Sequence, residues 1–356
     1  MTSPELGSCT VSLGTCKYHP LEEKLRICAE KGLTIIDFFE PDWLEYLSRQ
    51  PGVNMDDPYD LIPAHLEPAR NIGDLCKSLG LKIICFQYLC DLEGLLDETE
   101  RIAAKKRVTS TFPFLRAFQT NLVYLTSNKR TDDRITGDLE YIAKDLALYG
   151  DLAREFSEKD GGDQIIIGYE PLSWGVKVNR WNTAWEAVKL ANHPNVGIVL
   201  DTFNILAVEY ADPYSPDGNG RQLPTEEEAI AHVRKTMTDL TRSIDPNKIV
   251  LFQIADAKKV DPKTFLPPQD PTVPPLLPWS RNHRLYPMEQ DKGGYMPVLD
   301  VTAAVLATGY KGPLTVEVFN ETLLEPGKDV IEVHATRAIN GLRKLIEEVN
   351  KFEPFW

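Results

Sequence analysis

Apolar residues gather in eight short runs along the chain: Val11–Leu13, Thr34–Phe39, Lys82–Phe86, Leu122–Leu125, Ile165–Tyr169, Val196–Leu200, Ile249–Ile254 and Leu314–Val318. Such runs, rich in β-branched residues and bounded by turn formers, fit strands buried on both faces, as in a parallel sheet. The stretches between them change period. Ile230, Val233, Met237 and Leu240 share one face of a helix, as do Ala335, Ala338, Leu342, Leu345, Ile346 and Val349. Lys31-Gly32, Leu79-Gly80 and Thr308-Gly309 place glycine where a helix must end in a left-handed residue. Eight strand–helix units in 356 residues predict an α/β protein, one (β/α)8 barrel over residues 1–356 with no internal repeat and no second domain. No G-x-G-x-x-G follows the first strand, which argues against an open dinucleotide-binding sheet.

Two connections exceed what a barrel needs. One, Asp212–Arg221, is rich in turn formers. The other runs from Asp256 to Gly294 and carries seven prolines between Pro262 and Pro278. Long loops in a compact domain are usually functional, and proline lowers the entropy lost on ordering, so residues 256–294 are expected to form a lid.

The ends of the last four strands carry the candidate chemistry. Glu170, Asp201, Gln253 and Glu317 each close an apolar run. Strand carboxyl ends open onto one face of a barrel, and adjacent strands lie ~4.8 Å apart, so the four can converge on one ion. Oxygen donors alone suit Mg²⁺ or Mn²⁺, with Co²⁺ a further option. Taken singly, each is an ordinary polar strand end; three carboxylates together without a cation would repel one another. In the lid, Ser280-Arg-Asn-His-Arg284 sets two guanidinium groups beside an imidazole. Arginine grips carboxylates through paired hydrogen bonds, so Arg284 points to a small anionic hydroxylated carboxylate. Arg281 is evenly balanced between that role and pairing with Glu289 or Asp291. His283 is a candidate acid/base group weighed against an ordinary loop histidine, and Lys177, past the fifth strand, a candidate catalytic cation weighed against a solvated one. Trp174 is placed to line the pocket, whereas Trp181 and Trp185, one helical turn apart, fit the barrel wall.

Charge narrows the partners. Net charge is −14 and the pI near 5.0, which disfavours nucleic acid and anionic membrane. No apolar run reaches the ~18–20 residues of a membrane span, and no secretory signal is visible at the start. The six cysteines form no CxxC, and Cys85 lies within an apolar run, so a reduced, cytoplasmic setting is expected. Homo-oligomerisation is left open.

Tyr169-Glu-Pro-Leu-Ser-Trp-Gly, Leu200-Asp-Thr-Phe-Asn-Ile, Gln253-Ile-Ala-Asp-Ala, Trp279-Ser-Arg-Asn-His-Arg-Leu and Val316-Glu-Val-Phe-Asn resemble the 3-dehydroshikimate dehydratases of the xylose-isomerase-like TIM barrel superfamily. The likeness covers most of the chain and is densest from Tyr169 to Asn320. It implies a lyase that converts 3-dehydroshikimate to protocatechuate and water in quinate or shikimate catabolism, through a metal-stabilised enolate. It also implies that Glu170, Asp201, Gln253 and Glu317 bind the ion, and that Ser280 and Arg284 hold the substrate carboxylate. Three positions depart from the family's pattern. Gln87-Tyr-Leu-Cys-Asp91 replaces Gln-Pro-Phe-Arg, Asn204 stands where histidine is common, and Lys177 where an aromatic or histidine is usual. These leave the metal ligands untouched and bear on the substrate and the base, with Asn204 a candidate substrate contact. Rival readings are a sugar or hydroxy-ketone isomerase or epimerase, and an anionic-metabolite binder without turnover.

Overall fold

The structure is a computed structural model and describes residues 4–356. Eight parallel strands close into a barrel: β1 (Leu6–Cys9), β2 (Ile35–Phe39), β3 (Lys82–Cys90), β4 (Leu122–Thr126), β5 (Ile166–Glu170), β6 (Val196–Asp201), β7 (Ile249–Ile254) and β10 (Leu314–Val316). The two short strands between β7 and β10, β8 (Asp256–Ala257) and β9 (Arg284–Leu285), pair antiparallel outside the barrel. The α/β barrel architecture holds.

One strand differs from the sequence reading. The first lies at Leu6–Cys9, and Thr10–Leu13 is a single 3-10 turn at its mouth. Gly7 and Ser8 thin the apolar signal there, and the glycine is required. A Cβ on Gly7 would stand 2.6 Å from the Cβ of Ile35 and 2.9 Å from Thr315. Side chains cannot interpenetrate at that distance, so close approach of neighbouring strands overrides strand propensity.

The wall is built as the periodicity demands. Val233, Met237 and Leu240 lie buried on the helix Glu226–Ser243, whose Thr225 and Glu228 form a reciprocal capping box. Ala335, Ala338, Leu342 and Leu345 do the same on the last helix, Val330–Val349. Trp181 and Trp185 are buried in the helix after β5, as expected. Inside the barrel, Cys85, Leu122, Tyr124, Val199 and Leu251 pack into a separate cluster that plugs the lumen. All six cysteines are free thiols. Among the described residues no helix is long and apolar enough to cross a membrane.

The 256–294 segment is more ordered than a structureless lid. The β8–β9 ladder pairs Asp256 with Leu285 and Ala257 with Arg284. Between them sits the helix Leu276–Asn282, anchored by Trp279. That indole is fully buried, donates through Nε1 to the Lys258 carbonyl at 3.0 Å, and packs on Phe203 with ring centroids 4.9 Å apart. The Arg284 amide donates to the Phe319 carbonyl at 3.0 Å, tying the segment to the β10 mouth.

Candidate metal centre

Strand register sets the donors level. Asp201 pairs with Gln253, Gln253 with Thr315, and Thr126 with Glu170, so these residues reach the same height at the carboxyl ends of their strands. One carboxylate oxygen from each of Glu170, Asp201 and Glu317 lies within 4.8 Å of the others, and all three residues are buried. Burial first, and then the charges of Glu317 and Asp201, push the Glu170 carboxyl well above its usual range. Burial pushes Asp201 up to about 6 against the pull of the Arg284 guanidinium.

Gln253 belongs to the same cluster. Its Nε2 donates to Asp37 Oδ2 at 2.5 Å, to the Tyr124 hydroxyl at 3.2 Å and to Glu317 Oε1 at 3.4 Å. Its Oε1 is buried and has no donor. A buried amide oxygen without a partner is costly, and so are three crowded carboxylates. One divalent cation relieves both, and an all-oxygen donor set suits a hard ion. The residues therefore fit the group.

Arg284 is fully buried and joined to this cluster. Its Nη1 donates to Asp201 Oδ2 at 3.0 Å, Glu317 Oε2 at 3.1 Å and the Glu317 carbonyl at 3.2 Å. Ser280 Oγ accepts from its Nε at 3.2 Å and its Nη2 at 3.1 Å, and the cation lies 4.2 Å from the Phe203 ring centroid. Ser280 is thus a clamp on Arg284. Asn204 is a clamp as well: its Nδ2 donates to Glu170 Oε1 at 2.8 Å, its Oδ1 accepts from the Ser173 amide at 3.0 Å, and its own amide donates to Asp201 Oδ1 at 2.8 Å.

A cavity of about 270 Å³ opens at this mouth, lined by Glu170, Glu317, Arg281, Arg284, Lys129, Tyr88, Trp174 and Phe319 among others. That is small-molecule size. Trp174 lines it, as its place in the sequence suggested. The two candidate catalytic groups are not among the lining residues. Lys177 is exposed and lays its aliphatic stem over Gly137. His283 packs edge-on against Phe265, with centroids 5.2 Å apart, and its backbone bridges to Asn320. Both sit just beyond the elements that turn into the site. Sequence reasoning left Arg281 evenly balanced and missed Lys129, both of which line the cavity; Lys129 lies three residues past the end of β4, where strand-end position alone could have flagged it.

Comparison with known proteins shows what the chain is similar to. A 3-dehydroshikimate dehydratase of Neurospora crassa is 29% identical over 350 residues, covering 97% of this chain and 94% of its own length. A 3-dehydroshikimate dehydratase of Pseudomonas aeruginosa is 30% identical over 329 residues, which cover 92% of this chain but only 39% of that protein. Among solved structures, a xylose isomerase-like TIM barrel/4-hydroxyphenylpyruvate dioxygenase fusion protein superposes with a TM-score of 0.69 at 27% identity, covering 99% of this chain and 46% of that one. The sequence profile of one family matches residues 25–345, nearly the whole barrel. With eight parallel strands in the expected order and an acidic cluster at their carboxyl ends, the chain belongs to the xylose isomerase-like TIM barrel family.

Proposed function

We propose that this protein is a metal-dependent hydro-lyase that converts 3-dehydroshikimate to protocatechuate and water, in the catabolism of quinate or shikimate. What supports the reading is likeness to the Neurospora crassa 3-dehydroshikimate dehydratase along nearly the full length of both chains. The Glu170–Asp201–Glu317 cluster gives that likeness a physical site.

Glu170, Asp201, Glu317 and the free Oε1 of Gln253 are the residues that would hold the ion. A bound Mg²⁺ or Mn²⁺ polarises a carbonyl oxygen and stabilises negative charge that develops on it. The chain's own groups do the rest. Arg284, fixed by Ser280 and Phe203, presents a guanidinium to the cavity with little freedom to reorganise. Leu172, Trp174 and Phe319 give apolar walls that exclude water from a ring placed among them. The ring proton leaves to a group of the lining, whose carboxylates are Glu170 and Glu317 and whose amine is Lys129. Loss of the β-hydroxyl as water and tautomerisation then yield the aromatic product, and aromaticity draws the sequence forward.

The test is direct. Protein loaded with Mg²⁺ or Mn²⁺ and given 3-dehydroshikimate is expected to develop the absorbance of protocatechuate, and EDTA is expected to stop it. No product from the loaded protein, or an equal rate after chelation, rejects the reading. One observation favours a second reading, a ketose isomerase or epimerase: the cavity lining contains no histidine, and Glu170 and Glu317 are its only carboxylates. Interconversion of a ketose with its epimer, monitored by chromatography, would decide for it.

A further inference from the structure

Among the described residues, one cation at the cavity has no charged partner. Glu170, Asp201 and Glu317 contribute three negative charges, and Arg284 Nη1 contacts two of those residues. That guanidinium and one divalent ion, held by these residues, would together neutralise the three carboxylates. Lys129, which lines the cavity with Arg281 and Arg284, pairs with Asp91 at 3.5 Å. Glu289, which the sequence offered as a partner for the lid arginines, belongs to Arg337, whose Nε and Nη2 reach its two oxygens at 2.7 and 2.8 Å.

Arg281 remains. Among the described residues no carboxylate lies within 4.0 Å of its guanidinium, and no side-chain hydrogen bond is made by it. It is half-buried, its Cζ 4.1 Å from the Phe319 centroid and 5.6 Å from that of Trp174. The aromatic faces hold the flat cation in place and leave its N–H edge without an acceptor. A guanidinium removed from bulk water without an acceptor is unfavourable unless a ligand supplies one.

We infer that Arg281 is the residue that receives the substrate's anionic group, so the site selects a monoanionic carboxylate whose ring oxygens face the metal cluster while its carboxylate meets Arg281. This deepens the hydro-lyase reading and rests on the same cavity. Arg284 bonds Ser280 and the acidic cluster, which leaves Arg281 as the lining guanidinium without an acceptor among the described residues.

Protocatechuate and catechol differ only in the carboxylate, so their binding isolates this contact without any turnover. Isothermal titration of the Mn²⁺-loaded protein is expected to show protocatechuate bound about tenfold or more tighter than catechol. Arg281→Ala is expected to abolish that preference while catechol binding and Mn²⁺ content stay at the wild-type level. Arg281→Lys, which keeps the charge but not the fork, is expected to retain part of it. Equal affinity for the two ligands in the wild type overturns the inference. So does an unchanged preference in Arg281→Ala, or an equal loss of both ligands. The hydro-lyase reading fails on a different result, the absence of product from 3-dehydroshikimate, so each can fall alone.

Discussion

At the scale of the residue, the acidic cluster was the most legible part of the chain, because a carboxylate that ends an apolar β-branched run has few other places to sit than a strand mouth. Glu170, Asp201 and Glu317 meet as that pattern predicted, with Gln253 beside them. Asp37 carried a similar signal, an acid inside Ile-Ile-Asp-Phe-Phe, and its role became visible only in three dimensions. It is fully buried, with Oδ2 accepting from Gln253 Nε2 at 2.5 Å and Oδ1 accepting from Gln87 Nε2 at 2.6 Å and from the Cys85 thiol at 2.9 Å. By holding the amide nitrogen it leaves Gln253 Oε1 as the atom free for a cation. Partners that orient metal ligands are worth roughly 10–100-fold in affinity. Asp37→Asn is therefore expected to weaken Mn²⁺ binding by about tenfold or more with the fold intact. Unaltered affinity in a calorimetric titration would refute the role. Which lid arginine is free was not legible: Arg281 and Arg284 are three residues apart, and only tertiary pairing separates them.

At the scale of the element, seven of the eight barrel strands follow from apolar runs, and the first was displaced because Gly7 and Ser8 carry no apolar signal. The Asp256–Gly294 segment was legible as unusual but not as ordered, since proline-rich sequence says nothing about the Trp279 anchor at its centre. Trp279→Ala removes a fully buried indole from the helix that carries Ser280 and Arg281. A loss of about 3–5 kcal/mol is expected, together with loss of ligand binding. Chemical denaturation midpoints equal to wild type would contradict it. The root of the segment is Asp256, whose Oδ1 accepts from the amides of Ala257, Tyr295 and Met296 at 2.7, 3.2 and 3.0 Å. Burial pushes its carboxyl up to about 7 despite those three donors. An acid whose folded pKa is raised binds more protons folded than unfolded between pH ~4 and ~7, so its contribution is full below ~4 and is lost as pH rises toward 7. The loss is on the order of a few kcal/mol. Asp256→Asn cannot ionise, and its plot of Tm against pH is expected to be flatter than the wild type's over that window. Parallel plots would exclude Asp256 as a source of the slope.

At the scale of the whole molecule, the barrel gathers residues from both ends of the chain onto one face: Asp37 and Gln253 are in contact across 216 positions. Periodicity predicts such a closure, because eight parallel units can bury every strand only by returning to the first. It does not predict the packing at the mouth, where Asn204 and Ser280, expected to meet substrate, hold protein groups instead. The net charge of −14 contrasts with this mouth, where Arg281, without a charged partner among the described residues, stands out the more in an acidic protein. Arg284 has a wider consequence. Its bonds to Asp201 and Glu317 offset part of the repulsion among the acids where no ion is bound. The guanidinium acts as a built-in counterweight, so stripping the protein with EDTA is expected to leave it folded, with an unfolding free energy lower by only the linkage contribution, ~2.7 kcal/mol at an ion concentration one hundred times its Kd. Readdition of Mn²⁺ should then recover the original melting curve, whereas aggregation on chelation would mean that the counterweight is too weak. A cluster so arranged, if it holds a divalent ion, could trade it for another as supply changes without passing through an unfolded form.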